Sequence, residues 1–381
     1  MEKPKKHIII VAGEASGDMH AAHLVEELKG LDPSITFSGL GGPKMMAAGV
    51  EIYEDLTPMA VIGFIEVIKH YPRIKKTFDL ILDKVRQIKP SAVVLVDYPG
   101  FNLRLAAKVK EQGIKVIYYI SPQVWAWKEN RVHQIKKYVD QMLVLFPFER
   151  DFYARFGIKA QHVGHPLVDT VKAQHSKDEF RKIHGLSSEK LTIGILPGSR
   201  QNEIKNLLPI MLEAAEILSK EFANLQFLIM KAPTIARAVI ERHIPQTLSS
   251  IRIIEEQTYD GINACDLCMV ASGTATLETA ILQKPMVVVY KTSLLTWMLA
   301  KWFVKIPCIG LVNVVAGKKI VPECLQFQAT GIHIAHELRD IFTDELKIAE
   351  IKINLKKIKD ALGLGGSSRR TAQEILKAIA I

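Results

Sequence analysis

Two stretches of this chain share one design: an apolar run, a turn of small residues, then the start of a helix. The first is Ile8-Ile9-Ile10-Val11-Ala12-Gly13-Glu14-Ala15-Ser16-Gly17-Asp18. The second, about 185 residues on, is Leu191-Thr192-Ile193-Gly194-Ile195-Leu196-Pro197-Gly198-Ser199-Arg200, leading into Glu203-Ile204. A strand ending in a Gly/Ser turn before a helix gathers unpaired backbone N–H groups and a positive dipole end in one place, which suits a phosphate or another anion. Two such corners predict two Rossmann-like halves facing one cleft. Neither corner is G-x-G-x-x-G or G-x-x-x-x-G-K-[ST], so the usual dinucleotide and P-loop fingerprints are missing.

At 381 residues the chain exceeds one ordinary core, and strand and helix patterns alternate along both halves. Strands are read at 8–11, 36–39, 92–97, 115–120 and 141–146, then at 192–196, 226–230, 251–254, 267–271 and 286–290. The run Ala92-Val93-Val94-Leu95-Val96 before Asp97 has the unbroken apolar character of a parallel strand buried on both faces. The predicted fold class is α/β with two parallel sheets. Residues 1–165 form an N-terminal domain and 166–345 a C-terminal domain, with the polar stretch 163–190 as a linker. A helical tail, 346–381, packs back on an N-terminal domain.

The formal net charge of +10 favours anionic partners without choosing among phosphates, acidic lipids and nucleic acid. Nucleic acid is set aside because no aromatic-basic stacking platform or recognised binding motif accompanies the charge. Lys3, Lys5 and Lys6 before Ile8 resemble the start of a signal peptide, but the apolar run is short and Glu14 and Asp18 follow it. No apolar run is long enough to span a bilayer. The four cysteines do not make a disulfide framework, and Cys265 and Cys268, read as three apart on one strand, point to opposite faces. No metal site and no cofactor are expected, and the cysteine usage fits a reducing cytoplasm.

Several residues could carry chemistry. Gly198 lets a backbone approach a ligand, Ser199 can donate, and Arg200 can fork two donors onto a pyrophosphate; the bland alternative makes Glu203 a helix-capping carboxylate. Ser272, Gly273 and Thr274 again follow a strand and open a helix, and Glu278 one turn later can accept from the two hydroxyls of a ribose. Asp97 ends a buried strand, the edge where ligands bind in such sheets, and can serve as a general base or cap the next turn. Gly13, Glu14, Ser16 and Gly17 form the facing wall, a substrate-binding turn that could grip an acceptor phosphate, and Asp18 or His20 could handle a proton. The segment 58–76 sets Val61, Ile62, Phe64, Ile65 and Ile68 against Lys69 and Arg73, a pattern for acyl chains or an anionic bilayer; the alternative is a core helix. The stretch 294–306 is a weaker version. No D-x-D acid pair occurs, so a diphosphate would be met by helix ends and Arg200 rather than by a metal.

In combination these motifs resemble the lipid A disaccharide synthases. The resemblance rests on Ala12-Gly13-Glu14-Ala15-Ser16-Gly17-Asp18, Ser121-Pro122-Gln123-Val124-Trp125-Ala126-Trp127, Phe146-Pro147-Phe148-Glu149, Val163-Gly164-His165-Pro166, Leu196–Arg200, Ser272–Glu278 and Asn313 before Ala316-Gly317. It covers essentially the whole chain. It implies an inverting, metal-independent glycosyltransferase of the GT-B type, peripheral on the cytoplasmic face of the inner membrane. The reaction joins UDP-2,3-diacylglucosamine to 2,3-diacylglucosamine 1-phosphate, giving the β(1→6) disaccharide and UDP. The resemblance puts the acid of the fourth-strand motif on Asp97, the phosphate-binding Arg on Arg200, the ribose-type acid on Glu278 and a residue near the uridine on Asn313. Gly100 stands where many members carry a second acid, Val312 replaces a common Pro, and Pro322 stands where a basic residue is frequent. A homodimer is allowed but not implied. The competing reading keeps the fold and changes the substrate to UDP-N-acetylglucosamine, as in a peptidoglycan transferase or an epimerase.

Overall fold

The structure, a computed structural model of the chain, describes residues 6–57, 64–248, 250–294, 297–298 and 307–380; for 64–71 the backbone alone is described. Strands β1 (His7–Ala12), β2 (Thr36–Gly41), β3 (Glu51–Asp55), β4 (Ala92–Val96), β5 (Val116–Tyr119), β6 (Gln141–Val144) and β7 (Ala160–His162) form one parallel sheet in the order β3-β2-β1-β4-β5-β6-β7. A second parallel sheet, β10-β9-β8-β11-β12-β13, is built from β8 (Leu191–Leu196), β9 (Leu225–Met230), β10 (Ile251–Ile254), β11 (Leu267–Ala271), β12 (Met286–Tyr290) and β13 (Glu323–Leu325).

Each sheet's centre is apolar on both faces, because helices cover both sides of a doubly wound sheet. Ile8, Ile9, Ile10, Val11 and all of β4 are fully buried, with Ile10 opposite Val94. In the second sheet Ile195 lies opposite Met269, again with both side chains out of water. Burial of each such side chain stabilises the fold by about 1.5–3 kcal/mol. The strand order reverses between β1 and β4 in the first sheet and between β8 and β11 in the second. At such a switch point the following helices leave to opposite faces and open a crevice at the strands' carboxyl ends. Both corner motifs, Asp97, and Ser272–Glu278 lie just past those ends.

The chain divides into two compact units, Met1–Pro166 with Leu362–Ile381, and Leu167–Ala361. The tail expected as one segment is therefore split. Helix Glu345–Ala361 packs against helices Ala275–Ile281, Leu311–Ala316 and Gly331–Phe342 of the second unit. Helix Ser367–Ile379 packs against helix Ala15–Leu31 of the first. Arg370 fixes this return: its Nε donates to the Val163 carbonyl at 2.9 Å, and the His165 N–H donates to the Leu362 carbonyl at 2.8 Å.

The expected linker 163–190 is not a free connector. It holds helix Lys177–Ile183, whose Phe180 is fully buried and whose Arg181 is 2% exposed. Arg181 donates to Asp266 Oδ2 at 2.8 Å and to the Ala264 carbonyl at 3.1 Å, so a polar sequence is internalised by pairing. Cys265 lies just before β11, at the end of helix Thr258–Ala264, rather than on the strand. Its thiol donates to the Gly261 carbonyl at 3.1 Å, and it lies beside the Cys268 thiol over Gly194, not on the opposite face.

Candidate active site

In the first unit the corner after β4 is strained. Asp97 and Tyr98 have φ of +46° and +47°, a left-handed pair without glycine. Each such residue costs on the order of 1–3 kcal/mol and persists only where its surroundings over-determine it. Here the Asp97 carbonyl accepts from Asn102 Nδ2 at 2.8 Å and from the Tyr118 hydroxyl at 2.6 Å, while the Asp97 N–H donates to the Tyr119 carbonyl at 3.1 Å. Asn102 and Tyr118 are residues that the sequence did not single out. Gly13, on the neighbouring turn, has to be glycine: a Cβ there would stand 2.2 Å from the Tyr98 ring. Burial, and then the charge of Glu14, push the Asp97 carboxyl up to about 6. That is an acid poised to accept a proton near neutrality.

Asp97 lines a cavity of about 200 Å³ with Pro99, Pro122, Gln123, Val124, Trp127 and Arg131. The loop forming its wall is held from behind. Trp125 Nε1 donates to Glu149 Oε1 at 3.2 Å, and Ser121 and Tyr153 share a 2.7 Å hydroxyl contact. Glu149 is 2% exposed and also accepts the Leu145 and Phe146 N–H groups at 3.2 and 3.1 Å. Burial outweighs these donors and pushes its carboxyl up to about 7.

Other expected groups on this wall have different work. Asp18 is a structural acid: its carboxylate accepts the N–H groups of Gly42, Lys44 and Met45 at 2.8, 3.0 and 3.0 Å, which ties down the start of helix Pro43–Ala47. Three of the four acceptor sites of this carboxylate are thus taken by backbone amides, a load that fits an anchor. His20 is held down to about 4 by burial and by the charges of His23 and Lys44, and does not line the cavity with Asp97. Glu14 and Ser16 sit at the start of helix Ala15–Leu31, Ser16 exposed and Gly17 buried beneath them.

In the second unit the corner after β8 and the turn after β11 line one cavity of about 600 Å³: Gly198, Ser199, Arg200 and Glu203 from the first, Ser272, Gly273, Thr274 and Glu278 from the second. Lys172, Gln174, Gln257, Thr258 and Tyr259 join them, none of which the sequence singled out. Glu278 is raised by burial and accepts from the Tyr259 hydroxyl at a long 3.4 Å. Arg200, 83% exposed, is within 3.7 Å of Glu203, a contact of little energy at that exposure. Glu203 departs from the ligand-contact expectation. Its Oε2 accepts the Ser199 and Arg200 N–H groups at 2.9 and 3.2 Å, so the capping reading holds. Gly198 (φ +109°) makes room for it, since a Cβ there would stand 2.3 Å from that oxygen. The Ser272 hydroxyl donates to the Ile309 carbonyl at 3.1 Å.

Asn313, expected beside the uridine, is instead a fully buried cross-brace. Its Nδ2 donates to the Val321 carbonyl and Glu323 Oε1 at 2.9 and 2.8 Å, and its Oδ1 accepts from Ile320 and Val321 N–H at 2.8 and 3.1 Å. With both ends satisfied, nothing is left for a ligand. Val61 and Ile62 lie outside the described residues, as do the side chains of Phe64, Ile65, Ile68 and Lys69. Arg73 donates through Nε to Glu54 Oε1 at 3.0 Å on the surface. Among the described residues no three His, Cys, Asp or Glu side chains are grouped to hold a metal, and no helix is long and apolar enough to cross a membrane.

Two all-parallel Rossmann-like units, each with polar residues gathered at its switch point, define the GT-B class of fold. Solved structures agree on the fold: Staphylococcus aureus MnaA with UDP (TM-score 0.65, 13% identity, 99% of this chain and 98% of that one) and Acinetobacter baumannii MurG (TM-score 0.61, 14% identity, 98% and 100%). Sequence narrows the class. The family described as LpxB, lipid-A-disaccharide synthetase, matches residues 8–379. Lipid-A-disaccharide synthases of Geobacter metallireducens and Syntrophus aciditrophicus are 40% and 41% identical over 99% and 98% of this chain, and 98% of each relative. The chain belongs to the lipid-A-disaccharide synthase family of glycosyltransferases.

Proposed function

We propose that this chain transfers a 2,3-diacylglucosaminyl group from UDP to 2,3-diacylglucosamine 1-phosphate, releasing UDP and forming the β(1→6) disaccharide. The observation that carries the mechanism is Asp97: a carboxyl raised to about 6, on a corner whose strain three hydrogen bonds maintain, at the edge of a cavity. Asp97 removes the proton of the acceptor 6-hydroxyl as that oxygen attacks the anomeric carbon, and the bond to UDP breaks on the opposite side, inverting the centre. The second unit's cavity suits the nucleotide, with Arg200 for the diphosphate and Glu278 for the ribose. No metal has a part in these steps, so turnover is expected to persist in EDTA. Whole-chain similarity to this family does not favour the peptidoglycan-transferase or epimerase alternative.

The direct test is product analysis with the diacylated donor and acceptor beside unacylated UDP-N-acetylglucosamine; equal use of the unacylated donor would sink the lipid reading. Peripheral binding to an anionic membrane at the cytoplasmic face is proposed from the apolar-basic sequence 58–76. Changing Val61, Ile62, Phe64, Ile65 and Ile68 to Ser is expected to leave a folded protein that sediments less with anionic vesicles, while wild-type binding weakens as salt rises. An unfolded variant would return the segment to the core.

A further inference from the structure

The cavity beside Asp97 has two kinds of wall. One is the carboxylate; the other is the Trp127 ring with Arg131, which also line the cavity, and Lys128 beside that ring. Trp127 is 43% exposed, with Lys128 Nζ 4.6 Å and the Arg131 guanidinium 5.7 Å from its ring centroid. Lys128 itself has φ of +56°, a left-handed conformation that a lysine adopts only under constraint. Two positive groups gathered on one ring repel each other, and an anion between them relieves that repulsion. The nearby helix start cannot supply the anion's donors. Arg131, Val132 and His133 N–H groups are already bonded to the carbonyls of Lys128, Glu129 and Asn130 at 3.0, 2.9 and 3.3 Å. Recognition therefore falls to side chains. An exposed indole is also a flat apolar platform of the kind a sugar face stacks on. The loop carrying it is pre-organised, because Trp125, two residues earlier, is anchored inward on Glu149. About 200 Å³ is room for roughly seven waters, the scale of one sugar ring and not of acyl chains.

We infer that this cavity is the acceptor subsite, with Trp127 under the sugar ring, Arg131 and Lys128 on its phosphate, and the reacting hydroxyl turned to Asp97. Arg131 and Lys128 thereby select a sugar phosphate over the free sugar. The inference rests on the transferase reading above and adds the residues that read the acceptor.

The test is steady-state kinetics with 2,3-diacylglucosamine 1-phosphate and its dephosphorylated counterpart at saturating donor. For the wild type, loss of the phosphate is expected to raise acceptor KM at least about tenfold, the scale of one charge-assisted hydrogen bond. Arg131→Ala is expected to raise KM about tenfold for the phosphorylated acceptor and less than about twofold for the other, with donor KM unchanged and partial recovery in Arg131→Lys. Glucosamine 1-phosphate is expected to compete with the acceptor for the wild type and not for Arg131→Ala. Equal changes for both acceptors, or none, would overturn the assignment. If Arg131→Ala does not fold, exposed Lys128→Ala carries the same comparison, with a smaller selective rise supporting the subsite and no selective rise rejecting it. A wild type that turns over neither acceptor defeats the transferase reading itself, a result distinct from turnover without phosphate selectivity.

Discussion

The corners at the two switch points begin from the same topology and end with opposite chemistry. After β4 the backbone is forced left-handed at Asp97 and Tyr98, the acid is largely buried, and the space beside it is small. After β8 and β11 the turns are glycine-relieved at Gly198 and Gly273, the cavity is three times the volume, and one of its cations, Arg200, stands in solvent. Desolvation raises the carboxyl of Asp97 and concentrates reactivity there, whereas the larger second cavity leaves room for a bulky charged group. One fold thus supplies a place suited to proton removal and a place suited to holding a nucleotide.

The largest effect expected from this contrast is at Asp97. Asp97→Asn should lower turnover about 10²–10⁴-fold while leaving UDP affinity within about twofold. It should also stabilise the protein. A folded value raised from 3.8 to about 6 means that the unfolded chain gives up the proton first as pH rises. Stability therefore declines between those two values, and the cost, about 1–3 kcal/mol, is complete above the higher one. The Asn variant should melt higher than wild type at pH 8 and match it near pH 3, while wild-type activity rises with pH through about 6. A variant with full turnover and no gain in melting temperature would make Asp97 an ordinary turn acid.

Arg200→Ala comes next, with UDP binding weakened about tenfold by calorimetry and acceptor KM unchanged. Unchanged UDP affinity would remove the nucleotide from the second corner. Glu149→Gln should lower kcat several-fold, through the loop it anchors, with UDP binding untouched; it should also flatten the decline in stability between the ordinary Glu value of 4.5 and about 7. The smallest effect is at Glu203. Glu203→Gln should cost about 0.5–1 kcal/mol as a weakened cap, yet UDP should bind as well or slightly better, since a negative charge leaves the diphosphate side. A tenfold loss of UDP affinity would restore Glu203 as a ligand contact.

Much of this molecule is written locally. Strands β1 and β4 are legible because unbroken Ile and Val/Leu runs before small or acidic turn residues have few other uses in an α/β chain, and β8 and β11 because short, mostly apolar runs stop at Pro197-Gly198 and Ser272-Gly273. The place of Asp97, one residue past such a run, follows from the same pattern. Edge strands β3, β7 and β13 escape notice because they are short and half-polar, as Glu51-Ile52-Tyr53-Glu54-Asp55 illustrates. Polar side chains are where local reading stops. Asp18 becomes a helix anchor only because residues 42–45 arrive beside it, Asn313 a brace only because residues 320–323 do, and Arg181 a core residue only because Asp266 meets it. An apolar side chain needs only to leave water, so its periodicity announces its burial. A polar one must find specific donors or acceptors, and in a parallel fold those come from distant segments that the chain assembles only on folding.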